Sequence, residues 1–146
     1  MRVAAILGLG LSAGHLQPFA RCSDAEWQLG MPANPTEADA ILVFGGDGTV
    51  HRHLPQLVEL RLPVLIVPHG SGNDFARGLH LCSVGVSLSS WRHFVSGRGR
   101  VRLVDLGSIH PVVTPAAVGA PPPPRPGLAP PPSRLAGVGP GSRAAT

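Results

Sequence analysis

The segment from Ala40 to His51 constrains the fold of this chain more than any other. Its first half, Ala40-Ile41-Leu42-Val43-Phe44, is an apolar run without charge, which is typical of a strand buried on both faces. The run stops at Gly45-Gly46-Asp47-Gly48-Thr49, where the missing Cβ atoms let a ligand approach the backbone. We predict that Thr49 caps a helix over residues 50–60. A strand, a glycine turn and a helix N-terminus in succession favour a bound phosphate group.

Asp47 is the acidic member of that turn. A carboxylate beside phosphate groups is repelled unless a cation lies between them, so Asp47 predicts Mg²⁺, bound directly or through water. The alternative is a turn aspartate that binds only its local backbone. All 12 basic residues of the chain are arginines, so the P-loop pattern GxxxxGK[ST] is absent and a nucleotide would be held without its lysine.

A second strand and glycine loop follow the first. Val64-Leu65-Ile66-Val67 is apolar, and the loop from Pro68 to Gly72 leads into a helix predicted over residues 73–79. Crossovers between such units are right-handed, so the two strands are expected to be parallel. Their loops then emerge at the carboxyl edge of the sheet, where ligands bind in open α/β folds. Two loops that are distant in sequence therefore form one predicted site.

The rest of the ordered part completes an α/β pattern. Strands are predicted at residues 3–7, 25–29 and 100–107, and helices at residues 15–22 and 87–97, the last capped by Ser87 or Ser89. Pro55 lies inside the helix expected at 50–60 and predicts a kink, because it removes a helical hydrogen bond at a cost of about 3 kcal/mol. The predicted fold class is α/β, with an open, mostly parallel sheet and flanking helices.

The two glycine motifs together carry a resemblance. Gly45-Gly46-Asp47-Gly48-Thr49, followed by Asn73-Asp74-Phe75-Ala76-Arg77, resembles the diacylglycerol kinase catalytic-domain family, which includes bacterial lipid kinases and sphingosine and ceramide kinases. The first motif is shared with NAD kinases, and the second separates the lipid kinases from them. The resemblance covers residues 1–108 and implies an ATP-binding domain like those of NAD kinases and diacylglycerol kinases. It implies a lipid kinase that transfers the ATP γ-phosphoryl group to a lipid hydroxyl with Mg²⁺, diacylglycerol being the default acceptor.

The resemblance places the nucleotide across both loops. The residues expected to hold ATP are Gly45, Gly46, Asp47, Gly48, Thr49, Val50, His51, Ser71, Gly72 and Asn73. Asp47 is expected to position Mg²⁺ and phosphate, and the family's catalytic base is expected in a second, β-rich domain. In the family the turn after the first strand has a sequence close to Asn-Pro-x-Ser-Gly and touches the nucleotide. Here the turn is Gly8–Gly14, which keeps glycine and serine and lacks the Asn-Pro pair.

Some polar residues near the loops keep two interpretations. Either Asn73 or Asp74 caps the helix that follows, and Arg77 either neutralises phosphate or pairs with Asp74. A metal site at His51 and His53 is disfavoured, because residues two apart on a helix point to different faces.

Residues 109–146 differ in composition from the rest. Residues 111–146 hold 11 prolines and few large apolar side chains, which predicts a disordered, partly polyproline II tail. We expect a truncated or frame-shifted end and no second domain; a ligand for a proline-binding module is the alternative. A catalytically incomplete nucleotide-binding fragment and an NAD kinase-like enzyme therefore remain alternatives to an active lipid kinase.

Charge and cysteine content indicate the cellular setting. The formal net charge of +4 favours anionic partners such as nucleotides or acidic lipid surfaces, and nucleic acid is not expected. Cys22 and Cys82 are too few for a disulfide framework, which is typical of a reduced, cytoplasmic protein. No stretch has the ~20 apolar residues of a membrane span. The lipid acceptor that the resemblance implies would bring peripheral contact with the inner face of the membrane. The glycine-broken start fits a first strand better than a signal peptide.

Overall fold

A parallel sheet forms the centre of the fold. The computed structural model describes residues 1–107, so the predicted Pro-rich tail lies outside the described residues. The strands are β1 (Arg2–Leu7), β2 (Glu26–Leu29), β3 (Ala40–Gly45) and β4 (Val64–Pro68), and the helices are α1 (Gln17–Ala20), α2 (Asp47–Leu60), α3 (Asp74–Gly78) and α4 (Val84–Val95). The strand order is β2-β1-β3-β4, and each neighbouring pair is parallel. The predicted open α/β fold is confirmed.

Strand β3 lies inside the sheet, paired with β1 on one side and with β4 on the other. Its register places Val43 opposite Ile6 and opposite Ile66. Alternate side chains enter two separate cores: Ile41 and Val43 pack with α2, whereas Leu42 and Phe44 pack with α1 and α4. Helices therefore cover both faces, which explains why this strand is continuously apolar rather than alternating.

Helix α4 begins earlier than the sequence predicted. Ser83 occupies the N-cap position, and its Oγ accepts the N–H of Val86 at 3.3 Å. The predicted caps Ser87 and Ser89 both lie inside the helix. Ser87 is buried, and its hydroxyl donates to the carbonyl of Ile66 in β4 at 2.8 Å. The earlier start adds Val84 to the side of the helix on which Leu88 and Trp91, both within the predicted helix, pack against the sheet.

The strand predicted at residues 100–107 is wrong. Within the described residues this segment joins no strand, and Leu103 is 94% exposed. Alternation of polar and apolar side chains favours a strand only where a neighbour offers backbone partners, and this segment has none there.

In the described part of the chain, no helix combines the length and apolar character needed to cross a membrane.

Candidate functional site

Three loops meet at the carboxyl edge of the sheet and surround an open groove of about 610 Å³. They are the loop after β1, the turn between β3 and α2, and the loop between β4 and α3. The lining residues are Leu7, Gly8, Leu9, Gly10, Leu11, Gly45, Gly46, Asp47, Gly48, Thr49, Arg52, His53, His69, Gly70, Ser71 and Gly72. The prediction that the two glycine loops share one edge is confirmed by the parallel pairing of β3 and β4.

Helix α2 starts at Asp47 rather than at Val50, and this corrects the predicted cap. Gly46 is the N-cap, with extended backbone angles, and its carbonyl accepts the N–H of Val50 at 3.2 Å. Thr49 therefore lies in the first helical turn. Its side chain sits where any Cβ at Gly45 would collide, and a Cβ at Gly8 would lie 2.8 Å from its Oγ1. Thr49 thus packs the turn after β3 against the loop after β1, instead of capping the helix. The helix continues through Pro55 to Leu60.

The turn after β3 and the loop after β4 touch through their backbones. A Cβ added at Gly70 would lie 2.6 Å from the Cα of Gly46, and one added at Gly46 would lie 2.7 Å from the carbonyl oxygen of Gly72. The N–H of Asp47 donates to that same oxygen at 3.3 Å, and the N–H of His69 donates to the carbonyl of Gly45 at 3.1 Å. Glycine is required at 46 and 70 because no side chain fits between the two loops.

The carboxylate of Asp47 caps the helix of the neighbouring loop. Its Oδ2 accepts the N–H of Asp74 at 2.9 Å, and its Oδ1 accepts the N–H of Phe75 at 3.0 Å. The partners lie 27 and 28 residues away in sequence, so the alternative of a turn aspartate bound only to its local backbone is wrong. The negative charge lies at the N-terminus of α3, where exposed N–H groups and the helix dipole stabilise it.

The remaining polar residues of the second motif act within their own loop. Asn73 occupies the N-cap position of α3 without capping it; its Nδ2 donates to the carbonyl of Gly70 at 2.6 Å, and its Oδ1 accepts the N–H of Gly70 at 3.1 Å. Asp74 pairs with Arg77 one turn later, on the exposed side of the helix. Of the two interpretations of Arg77, the structure supports pairing with Asp74.

Backbone N–H groups that lack a protein partner mark where the groove can bind an anion. In the described range, those of Gly46, Ser71 and Gly72 donate to no backbone acceptor, and Gly48 lies in the first turn of α2, where N–H groups have no helical partner. The N–H groups of Asp47, Thr49 and Val50 already donate to carbonyls. Within this turn, the N–H groups of Gly46 and Gly48 therefore remain for an anion.

Seven of the predicted ligand-binding residues line the groove; Val50, His51 and Asn73 do not. The side chain of Val50 is 5% exposed and packs in the core under α2. His51 is exposed on α2 outside the groove. The side chain of Asn73 donates to the carbonyl of Gly70 and so closes the loop between β4 and α3. Among residues 1–107, no group of three or more His, Cys, Asp or Glu side chains is arranged for a metal ion.

His69 is a groove residue that sequence reasoning did not select. Its ring lies edge-on to the ring of His15, with centroids 5.2 Å apart, and lies against Phe44. Burial, and secondarily the charge of His15, lower the pKa of His69 from its ordinary value. Its position directly after β4 was the available signal. Arg52 and His53 also line the groove and were not predicted as groove residues.

Fold and groove together define an α/β domain with a glycine-lined groove at the carboxyl edge of a parallel sheet. The chain belongs to the diacylglycerol kinase catalytic domain family, whose model matches residues 19–109, more than half of the chain. Strand β1 and the loop after it precede the matched part, yet β1 is an inner strand of the sheet. The family predicted from the two glycine motifs is confirmed.

A similarity to one solved structure is weaker. The chain is 25% identical to an NAD kinase from Archaeoglobus fulgidus that was solved in complex with ATP, with a TM-score of 0.36. The alignment covers 48% of this chain and 28% of the archaeal one, so the chain spans little more than a quarter of that protein. No curated protein sequence matches this chain significantly.

Proposed function

We propose that this chain is the nucleotide-binding part of a lipid kinase and that ATP binds in the groove at the carboxyl edge of the sheet. The observation that carries the proposal is the contact of the two glycine loops, which brings Gly46, Ser71 and Gly72, whose N–H groups donate to no backbone acceptor, to the lining of one groove. Membership of a kinase catalytic-domain family supplies the class of ligand. The groove volume is within the range of about 300–1,000 Å³ that is usual for small-molecule sites.

The phosphate groups would be held by backbone donors rather than by a lysine. Gly46 and Gly48 offer N–H groups at the start of α2, where the helix dipole favours negative charge. Ser71 adds a hydroxyl and an N–H from the facing loop, and both atoms belong to an exposed residue. Such fixed donors stabilise the charge that develops on a transferring phosphoryl group without needing to reorganise.

Asp47 fits a magnesium ion in addition to its structural role. Each carboxylate oxygen has about two acceptor sites, and each gives one of them to a backbone N–H of α3. Asp47 is also a lining residue of the groove, so its remaining acceptor capacity would suit a cation that keeps several waters and phosphate oxygens as ligands. When bound, Mg²⁺ neutralises phosphate charge; the residues of this chain contribute the carboxylate and hold it still.

The acceptor is proposed to be a lipid hydroxyl, with diacylglycerol as the first candidate. This part rests on the family alone, because the described groove residues bind the phosphate end of a nucleotide and do not distinguish one alcohol from another. Peripheral contact with a membrane surface follows from an acceptor of this kind.

Isothermal titration of the full 146-residue chain with MgATP tests nucleotide binding. We expect saturable binding that weakens about tenfold or more in Ser71→Ala, since a hydrogen bond to a charged group is lost. Ser89→Ala is the matched control, because Ser89 is exposed on α4 away from the groove. A folded chain that binds no MgATP, or equal loss in both variants, would overturn the proposal.

A transfer assay with radiolabelled ATP identifies the acceptor. Vesicles containing diacylglycerol, sphingosine or ceramide are compared with soluble NAD⁺. Label in a lipid product supports the lipid kinase, and label in NADP⁺ supports the NAD kinase alternative. Binding of MgATP without transfer to any acceptor supports the incomplete nucleotide-binding fragment.

A further inference from the structure

Arg52 carries the permanent positive charge among the groove residues that the structure describes. It lies on α2, in the turn after the glycine motif, and its side chain is exposed at the groove. The other basic side chains of the lining are His53 and His69, and the pKa of His69 is lowered by burial and by His15. Arg52 therefore dominates the positive potential of this surface at neutral pH.

The charge of Arg52 is not used inside the described part of the protein. Across residues 1–107 the ion pair formed is that of Arg77 with Asp74, and Arg52 contacts no carboxylate. The groove's own carboxylate, Asp47, is directed at the N–H groups of Asp74 and Phe75 instead. The guanidinium is thus available to an anion that enters the groove.

Gly48 leaves room for that anion beside Arg52. The two residues are four apart on α2, so they lie on the same face of the helix. A Cβ at Gly48 would meet no atom within 4 Å, and Gly48 does not have a positive φ. Neither packing nor backbone conformation demands glycine there, in contrast to Gly46. The missing side chain keeps an open path along the helix from the unpartnered N–H groups to the guanidinium.

We propose that Arg52 binds the outer phosphates of a nucleoside polyphosphate and makes this groove prefer triphosphates over monophosphates. A phosphate held by the N–H groups at the start of α2 places the next phosphates over Gly48, within reach of the planar guanidinium fork, which binds phosphate oxygens in pairs. The inference rests on the proposed nucleotide site and adds a specificity residue to it.

Titration of the full chain with ATP, ADP, AMP and inorganic tripolyphosphate, all with Mg²⁺, tests the proposal. We expect Arg52→Gln to weaken ATP and tripolyphosphate binding about tenfold and AMP binding about twofold or less, because a charge-assisted contact is lost only for the longer phosphate chains. Arg52→Lys should recover part of the loss. Arg2→Gln is the matched control, because Arg2 is exposed at the opposite end of β1.

The outcomes separate this inference from the proposed function. If the wild-type chain binds ATP, and Arg52→Gln weakens the binding of ATP and AMP equally or weakens neither, then Arg52 does not distinguish nucleotides by the number of their phosphates. The inference is then wrong, and the proposed nucleotide site is unaffected. If the wild-type chain binds none of the four compounds, both the inference and the proposed function are wrong. If Arg52→Gln has the same melting temperature as the wild type, a change in its affinity is not caused by unfolding.

Discussion

The carboxylate of Asp47 lies 2.9 Å from the backbone nitrogen of Asp74, although the two residues belong to different loops. With the second bond, to Phe75, it fixes the start of α3 to the start of α2. The acid of the first glycine motif therefore holds the second motif in place. Any ligand bound by both loops depends on this link, whether or not a cation also binds there.

Replacement of Asp47 should destabilise the fold as well as alter ligand binding. We expect Asp47→Ala to lower the free energy of unfolding by about 1–2 kcal/mol, because two helix N–H groups lose their acceptor. Asp47→Asn keeps one acceptor, so its free energy of unfolding should lie between those of the wild type and Asp47→Ala. Urea titration measures the effect, with the exposed Asp24→Ala as control. Equal stability of Asp47→Ala and wild type would show that the link contributes nothing.

Gly46 and Gly48 should respond in opposite ways to alanine. Gly46→Ala places a Cβ 2.7 Å from the carbonyl oxygen of Gly72, so it should cost about 1–3 kcal/mol as the loops are forced apart. Gly48→Ala meets only open space and improves helix propensity, so stability should stay equal or rise by up to about 1 kcal/mol. ATP affinity should fall in Gly48→Ala despite its intact fold. Urea unfolding and ATP titration of both variants test these predictions. A Gly46→Ala variant as stable as the wild type would contradict the loop contact.

The buried hydroxyl of Ser87 should contribute to stability through β4. It is 0% exposed and donates to the carbonyl of Ile66 at 2.8 Å, joining α4 to the sheet. Ser87→Ala should cost about 1–2 kcal/mol, because a buried hydrogen bond is lost and a small void is left. The exposed Ser89→Ala on the same helix is the control and should be close to neutral. Indistinguishable denaturation midpoints for the two variants would rule out this role.

Stability should decrease in mild acid through His69. Its folded-state pKa is lowered by burial and then by His15, so the unfolded chain takes up a proton at higher pH than the folded chain. The folded state therefore loses stability as the pH falls through 6.5 towards the lowered pKa, and the loss is complete below both values. His69→Gln should flatten this part of the stability profile, whereas the exposed His93→Gln should not. Parallel profiles for wild type and His69→Gln would contradict the assignment.

Local pattern predicted the glycine turns and the buried strand, and the structure adds the physical reason for each. The glycines at 45, 46 and 70 are needed because backbones or side chains touch there, and the buried run of β3 needs helices on both faces. Pattern failed for Thr49 and for Ser87, both predicted as caps. A hydroxyl near a helix start has the same sequence signature whether it caps the helix or packs against a neighbouring element.

The amino-acid sequence by itself determined the family, the parallel α/β class and the shared edge of the two glycine loops, because strand burial and crossover handedness follow from local composition and chain chirality. Only the tertiary structure decided what the polar groups do at that edge. The partners of the Asp47 carboxylate lie 27 and 28 residues away, and Arg52 reaches the groove beside a glycine whose open surroundings no local pattern shows. Hydrogen bonds and free volume between distant segments depend on how the elements pack, and that is set by the whole chain at once.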